Sequence, residues 1–163
     1  MAEQDGSLLP YYRGWETYQE LLIKSVESLT PEQLAVRPAP HLRSIGENAA
    51  HIVGTRAGWF YFTLETGGEG LVKYAKWNMP DHPVPSAAEL VEGLKFTWQV
   101  IHSSLSTWTP ANLSDIFHDS DENGKIWDLT RQWVIWHLIE HDLHHGGELS
   151  FTLGMSGLPG ISL

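Results

Sequence analysis

Residues 129–153 read LTRQWVIWHLIEHDLHHGGELSFTL. Apolar side chains recur through this run at threes and fours, Trp133, Trp136, Ile139, Leu143 and Leu149 among them, and no proline interrupts it. That spacing predicts a long amphipathic helix with those residues on its core side. Gly154, just past the last periodic residue, is a natural stop. The same run carries His137, His141, His144 and His145. At about 100° per residue these four, together with Glu148, fall within an arc of roughly 100°, so all lie on one side of the helix.

Three further helices are read upstream. Tyr11, Tyr12, Trp15, Tyr18, Leu22, Val26 and Leu29 give a stripe over residues 8–29, which Thr30-Pro31 ends because proline disfavours helical geometry in the residue before it. Val36-Arg37-Pro38-Ala39-Pro40 is a rigid connector. Ser44 with Glu47 forms a capping-box pattern opening a helix through Ile45, Ala49, Ile52, Val53, Trp59, Phe60 and Leu64, stopped at Gly67-Gly68. Residues 67–85 hold Gly67, Gly68, Gly70, Pro80, Pro83 and Pro85, enough breakers to predict an irregular crossover. Ser86 with Glu89 opens a third helix through Leu90, Leu94, Trp98, Ile101 and Leu105. Asp121-Glu122-Asn123-Gly124 reads as a turn joining two short strands, 115–118 and 125–127. The expected fold is all-α, a four-helix bundle with one long crossover connection and a short β-hairpin before the last helix.

The whole chain fits that plan. Its 163 residues suit one domain, 1–163, with one core, and 42% hydrophobic against 18% charged residues is an ordinary globular composition. A net charge of -10 with no run of Lys and Arg argues against nucleic acid as a partner. The start MAEQDGSLLP lacks the basic segment and apolar core of a secretory signal, and no apolar run approaches the roughly 18 residues of a membrane span. The expectation is a soluble cytoplasmic protein with no membrane partner.

Cysteine is absent while histidine occurs nine times. A metal would therefore be held by imidazole and oxygen. His141 and His145, spaced i, i+4, can converge on one ion, as in the helical zinc motif His-Glu-x-x-His, with Asp142 in place of the glutamate. Two imidazoles need at least one more ligand from elsewhere. Among His41, His51, His82, His102 and His118, His51 is the best placed, mid-helix beside Ala49, Ile52 and Val53. His41, His82 and His118 fall near proline or polar runs, and His102 at the edge of the third helix. Asp142 or Glu148 could serve as general base or orient a ligand imidazole; His137 and His144 are candidates to flank the ion without binding it. No single catalytic residue is legible. Trp15, Trp59, Trp133 and Trp136 are candidates to line a pocket beside the site. A di-iron carboxylate centre is set aside because the chain has no Glu-x-x-His, and a zinc protease because no acidic or His ligand follows Glu148.

Ser44-Ile45-Gly46-Glu47-Asn48-Ala49-Ala50-His51-Ile52 resembles the second-helix motif of the DinB-like (damage-inducible, YfiT-type) superfamily, and His141-Asp142-Leu143-His144-His145-Gly146-Gly147-Glu148-Leu149 resembles its fourth-helix motif, usually His-Glu-x-His-His-Arg-Gly-Gln. Leu29-Thr30-Pro31-Glu32-Gln33-Leu34 and Arg37-Pro38 match its first connector. The resemblance implies a four-helix bundle holding a divalent metal (Zn, Ni or Fe) on His51, His141 and His145, with homodimers common. Characterised members similar to this family use a low-molecular-weight thiol in transfer or isomerase reactions, which implies a metal-dependent thiol S-transferase acting on a small-molecule substrate; the alternatives are a metal-dependent hydrolase and a non-catalytic, stress-response protein that binds a metal or small ligand. Three departures stand out: Gly146 replaces the motif's Arg, Asp142 its Glu and Glu148 its Gln.

Overall fold

The computed structural model describes residues 6–120 and 123–163. Residues 1–5 of the chain start and Asp121-Glu122 of the turn read above lie outside the described residues. Four long helices carry the architecture: α1 (Arg13–Val26), α2 (Ile45–Gly58), α3 (Ala87–Thr107) and α4 (Arg131–Met155). Each of α1 and α2 packs against both α3 and α4. The bundle's core is built from Leu22 and Val26 of α1, Ile45, Ile52 and Val53 of α2, Leu90, Leu94, Ile101 and Leu105 of α3, and Val134, Leu138, Leu149 and Leu153 of α4, all at 1% exposure or less. Burial of each such side chain is worth about 1.5–3 kcal/mol, the principal source of stability.

Helix ends follow local chemistry. Ser44 and Ser86 each accept from the backbone N–H three residues on, while Glu47 and Glu89 reach back to the cap, closing the capping boxes of α2 and α3. Thr30 does the same with Gln33, so the Thr30-Pro31 stop read from the sequence opens a single helical turn, Pro31–Leu34, after α1 has ended at Val26. Residues Leu9–Tyr12 form a 3₁₀ turn ahead of α1, and Trp59–Thr63 continue α2 as a π turn.

Two expectations need correction. Of the residues named for the last helix, Trp133, Trp136 and Leu143 are exposed, Ile139 is partly buried and Leu149 is fully buried; the core face is made by Val134, Ile135, Leu138, Asp142, His145 and Leu149. Two apolar stripes run along α4, and the polar Asp142 and His145 interrupt the one that is buried. The crossover is also more ordered than its breakers suggest. Glycines cluster at its start and prolines at its end, so residues 71–79 form short turns (Val72–Ala75, Lys76–Asn78) that bury Leu71 and Tyr74 against the bundle. Gly54 and Gly93 admit this segment, since a Cβ at 54 would meet Asn78 at 2.7 Å and one at 93 would meet Trp77 at 2.8 Å. Covered by bundle and crossover, α2 is buried almost all round.

The hairpin pairs Ile116–Ser120 with Ile126–Thr130 in antiparallel register, His118 opposite Asp128. It turns the chain into α4, where Thr130 accepts from the Trp133 N–H as N-cap. Among the described residues, no helix is long and apolar enough to cross a membrane.

Candidate metal centre

Helices α2 and α4 run antiparallel: Trp59 meets Trp133 and His137 at one end, and Asn48 reaches Glu148 at the other. Midway between them three imidazoles converge. His51 Nε2 lies 3.1 Å from His141 Nε2, ring centroids of the trio are 4.4–4.8 Å apart, and one ring nitrogen from each falls within 4.8 Å of the others. The i, i+4 spacing on α4 supplies His141 and His145, and α2 presents His51 between them. The structure thus brings together the three residues read as ligands.

Two of their outer nitrogens are held in place. Asn78 Nδ2 donates to Thr55 Oγ1 at 3.2 Å, which turns its Oδ1 toward His51 Nδ1 at 2.9 Å. His51 therefore carries its proton on Nδ1 and keeps a lone pair on Nε2. His145 Nδ1 donates to Glu148 Oε2 at 2.7 Å, with the same consequence. Such outer partners fix the tautomer and orientation of ligand imidazoles. The His141 Nδ1 is buried without a partner among the described residues, so they do not complete that ring's hydrogen bonding.

Electrostatics keep the trio neutral. Burial pushes His51 down to about 4 and His141 down to about 3, with neighbouring imidazoles and Arg43 adding to the effect on His141. Burial also lowers His145, against the pull of Glu148. Glu148 is opposed by its own desolvation, yet the hydrogen bond from His145 holds it below the usual carboxylate range. Near neutral pH the site thus offers three unprotonated imidazoles, the donor set that suits Zn, Ni or Fe. Nitrogens of a tetrahedral pair at 2.0–2.1 Å from zinc are about 3.3 Å apart, close to the observed His51–His141 spacing. The residues fit a divalent ion.

The other candidates divide. Glu148 adjoins the trio, and His144 lies exposed with its Nε2 3.3 Å from Glu148 Oε1; these two and His145 form a second, more open ligand group. His137 stacks on Trp133 (4.9 Å, 11°) with its edge to Trp59, making an aromatic wall one turn before His141. Asp142 points elsewhere. Its carboxylate is fully buried, accepts from Arg56 Nε (3.0 and 3.1 Å) and Nη2 (2.6 Å) and from Trp15 Nε1 (2.6 Å), and touches none of the imidazoles among the described residues. Arg56 Nη1 in turn donates to Gln19 Oε1, and Gln19 to the Leu94 carbonyl. A carboxylate so buried and so paired is not placed to act as a base or to orient a ligand imidazole. Trp15 thereby serves the core network, and together with the exposed Trp136 it borders a separate cavity of about 430 Å³ whose lining includes none of the three imidazoles.

Of the remaining histidines, His82 borders a cavity of about 290 Å³ that also reaches His51, Arg43 and Asn78, while His41, His102 and His118 lie apart from the trio. Sequence reasoning missed Asn78, Arg43, Asn48 and Arg56. Asn78 sits in the crossover read as irregular, and Arg43 and Arg56 belong to no motif or apolar stripe read from the sequence. Gly146 has a local cause: a Cβ there would collide with the Tyr18 hydroxyl, so the position has no room for the arginine of the motif.

Two solved structures share the fold. A DinB-like protein from Bacillus cereus ATCC 10987 is 24% identical, with a TM-score of 0.72 over 98% of this chain and 99% of that one. A DinB-like protein (YjoA) from Bacillus subtilis is 14% identical, with a TM-score of 0.62 over 96% of each. No curated protein matches the chain. The family model of the DinB superfamily matches residues 14–149, a span that contains all three imidazoles, and the chain belongs to that superfamily.

Proposed function

We propose that this protein is a divalent-metal-dependent enzyme, with His51, His141 and His145 as ligands, that transfers or adds a low-molecular-weight thiol to an electrophilic small molecule. The observation that carries the reading is the convergence of three neutral imidazoles, two with their outer nitrogens anchored by Asn78 and Glu148, beside an open cavity of about 290 Å³. When bound, a divalent ion would supply Lewis acidity, stabilising a thiolate or hydroxide at neutral pH. Because all three ligands are uncharged, they cancel none of that positive charge themselves, and the protein's nearby negative charge is Glu148, one hydrogen bond beyond His145. The chain has no cysteine, so the sulfur nucleophile would come from a cosubstrate. Asn78 and Glu148 hold the ligand rings in one tautomer. Trp59, Trp133 and His137 wall one end of the groove, and Glu148 is the carboxylate near enough to take a proton from an incoming group.

Metal content of protein made without a His tag tests the centre, and assays of the zinc, nickel and iron forms with small thiols and electrophiles test the chemistry. We expect close to one equivalent of metal, lost in His51→Ala, His141→Ala and His145→Ala, with thiol-dependent turnover by at least one form. Protein that takes up no metal overturns the reading. Metal without thiol turnover, but with hydrolysis or ligand binding alone, replaces the transferase with a hydrolase or a binding protein.

A further inference from the structure

One flank of the trio carries charges that the metal centre does not use. A cavity of about 190 Å³ adjoins Glu148 and is lined by Pro38, Leu42, Arg43, Asn48, Phe151 and Thr152 as well. It is smaller than the roughly 300–1,000 Å³ of whole-ligand pockets, so it suits one end of a ligand whose remainder lies toward the imidazoles. Its charged groups are of both signs. Arg43 has no hydrogen-bond or ion-pair partner among the described residues, because the nearby Glu47 is taken by Arg37 and by the Ser44 cap. Its charge is felt by all three imidazoles, and it borders both this cavity and the larger one at His51. Glu148 turns Oε1 toward the exposed His144 Nε2 at 3.3 Å, and the Asn48 amide donates to the same carboxylate. The wall between them is Asn48, 4% exposed, whose Oδ1 lies without a donor. Buried orphan acceptors are uncommon, and a small rotation of this amide would let an entering N–H satisfy it. Leu42 and Phe151 supply apolar sides.

The geometry points to this cavity as a subsite for a zwitterionic, amino-acid-type group, its carboxylate on the Arg43 guanidinium and its amino group on Glu148 and Asn48. An unpaired arginine is suited to a planar carboxylate, which it can grip through two parallel N–H bonds. The paired charges exclude the plain alternatives: a simple anion would be repelled by Glu148, and a simple amine by Arg43. The inference names the part of the thiol cosubstrate that binds away from sulfur, and to that extent it rests on the reading above. Arg43 brings its cation to the site from the loop before α2.

Titration of ¹⁵N-labelled, metal-free protein with S-methylcysteine tests the subsite without the metal. We expect shifts at residues 42, 43, 48, 148 and 152, and binding weakened about tenfold or more when the probe lacks its carboxylate (2-(methylthio)ethylamine) or its amine (3-(methylthio)propionate). Arg43→Met should weaken S-methylcysteine by a similar factor while the decarboxylated probe binds as well or better, because the cation that repels its amine is gone, which a general loss of structure would not do. Equal binding of the three probes, shifts located elsewhere, or no binding of S-methylcysteine overturns the subsite. Free cysteine titrated into zinc-loaded protein separates the two readings: a gain over S-methylcysteine supports the metal–thiol reading, and no gain defeats that reading while the subsite stands on the metal-free result.

Discussion

His141 and Asp142 are neighbours on one helix, both withdrawn from solvent, and they face two polar clusters of opposite character. Around Asp142 every hydrogen-bonding group is matched: Arg56, Trp15 and Gln19 close a buried network whose last donor ends on the Leu94 carbonyl. Around His141 the account stays open, with three neutral rings nitrogen to nitrogen and a buried Nδ1 that nothing satisfies. A closed network can only hold the fold together, because it has no valence left for a ligand. An open cluster of unprotonated nitrogens is costly to assemble and is explained by what it can bind. The closed cluster also serves the open one. Arg56 lies five residues beyond His51 on α2, so its pairing with Asp142 fixes the register at which His51 meets His141 and His145.

Breaking the closed side should have the largest effect on folding. Asp142→Ala leaves a fully buried guanidinium uncompensated, and a loss of about 3–5 kcal/mol in urea denaturation of the metal-free protein is expected. Arg56→Met with Asp142→Leu, which removes both charges, should recover much of that loss; a single variant costing under about 1 kcal/mol would erase the distinction drawn here.

The open side should respond in metal binding instead. His141→Ala is expected to weaken zinc affinity by more than about 100-fold, beyond the 10–100-fold typical of outer partners. Denaturation of the metal-free form should change little, since no hydrogen bond beyond the imidazole pair is lost. A collapse in metal-free stability would show that the trio is itself structural.

One step further out, Asn78→Ala frees the His51 ring without removing a ligand, and a loss of about 10–100-fold in zinc affinity measured by chelator competition is expected. Gly54→Ala should act in the same direction, because the added Cβ displaces Asn78.

Acid should also separate the clusters. His51 and His141 are held down to about 4 and about 3, below the ordinary 6.5. The unfolded chain therefore takes up their protons first, and the stability they support is complete above about pH 6.5 and drains as pH falls toward 4 and then 3. The metal-free double variant His51→Asn, His141→Gln should show a shallower decline between pH 7 and 5 than the wild type, read from denaturation at each pH. Equal slopes would mean the two imidazoles are not held neutral by the fold.

The smallest effect belongs to His144. It is exposed, paired with the rim carboxylate of Glu148 and set edge-on to the His145 ring, so His144→Ala should alter stability by no more than about 0.5 kcal/mol and zinc affinity by less than any ligand variant.

The amino-acid sequence alone determined the helices, the hairpin, and the identity of the three imidazoles. Apolar recurrence, capping boxes at Ser44 and Ser86, and the i, i+4 spacing of His141 and His145 are local features, set by backbone geometry within a few residues. Tertiary structure decided which stripe of α4 is buried, because two are apolar and only packing chooses between them. It turned Asp142 inward, 100° around the helix from His141, to a partner 86 residues away. Asn78 was drawn from a stretch read as irregular onto His51, through the space that two glycines leave. Arg43 makes no ion pair among the described residues, while Arg37 pairs with the nearby Glu47. Each of these depends on contacts between residues distant in the chain, and no period or motif records them.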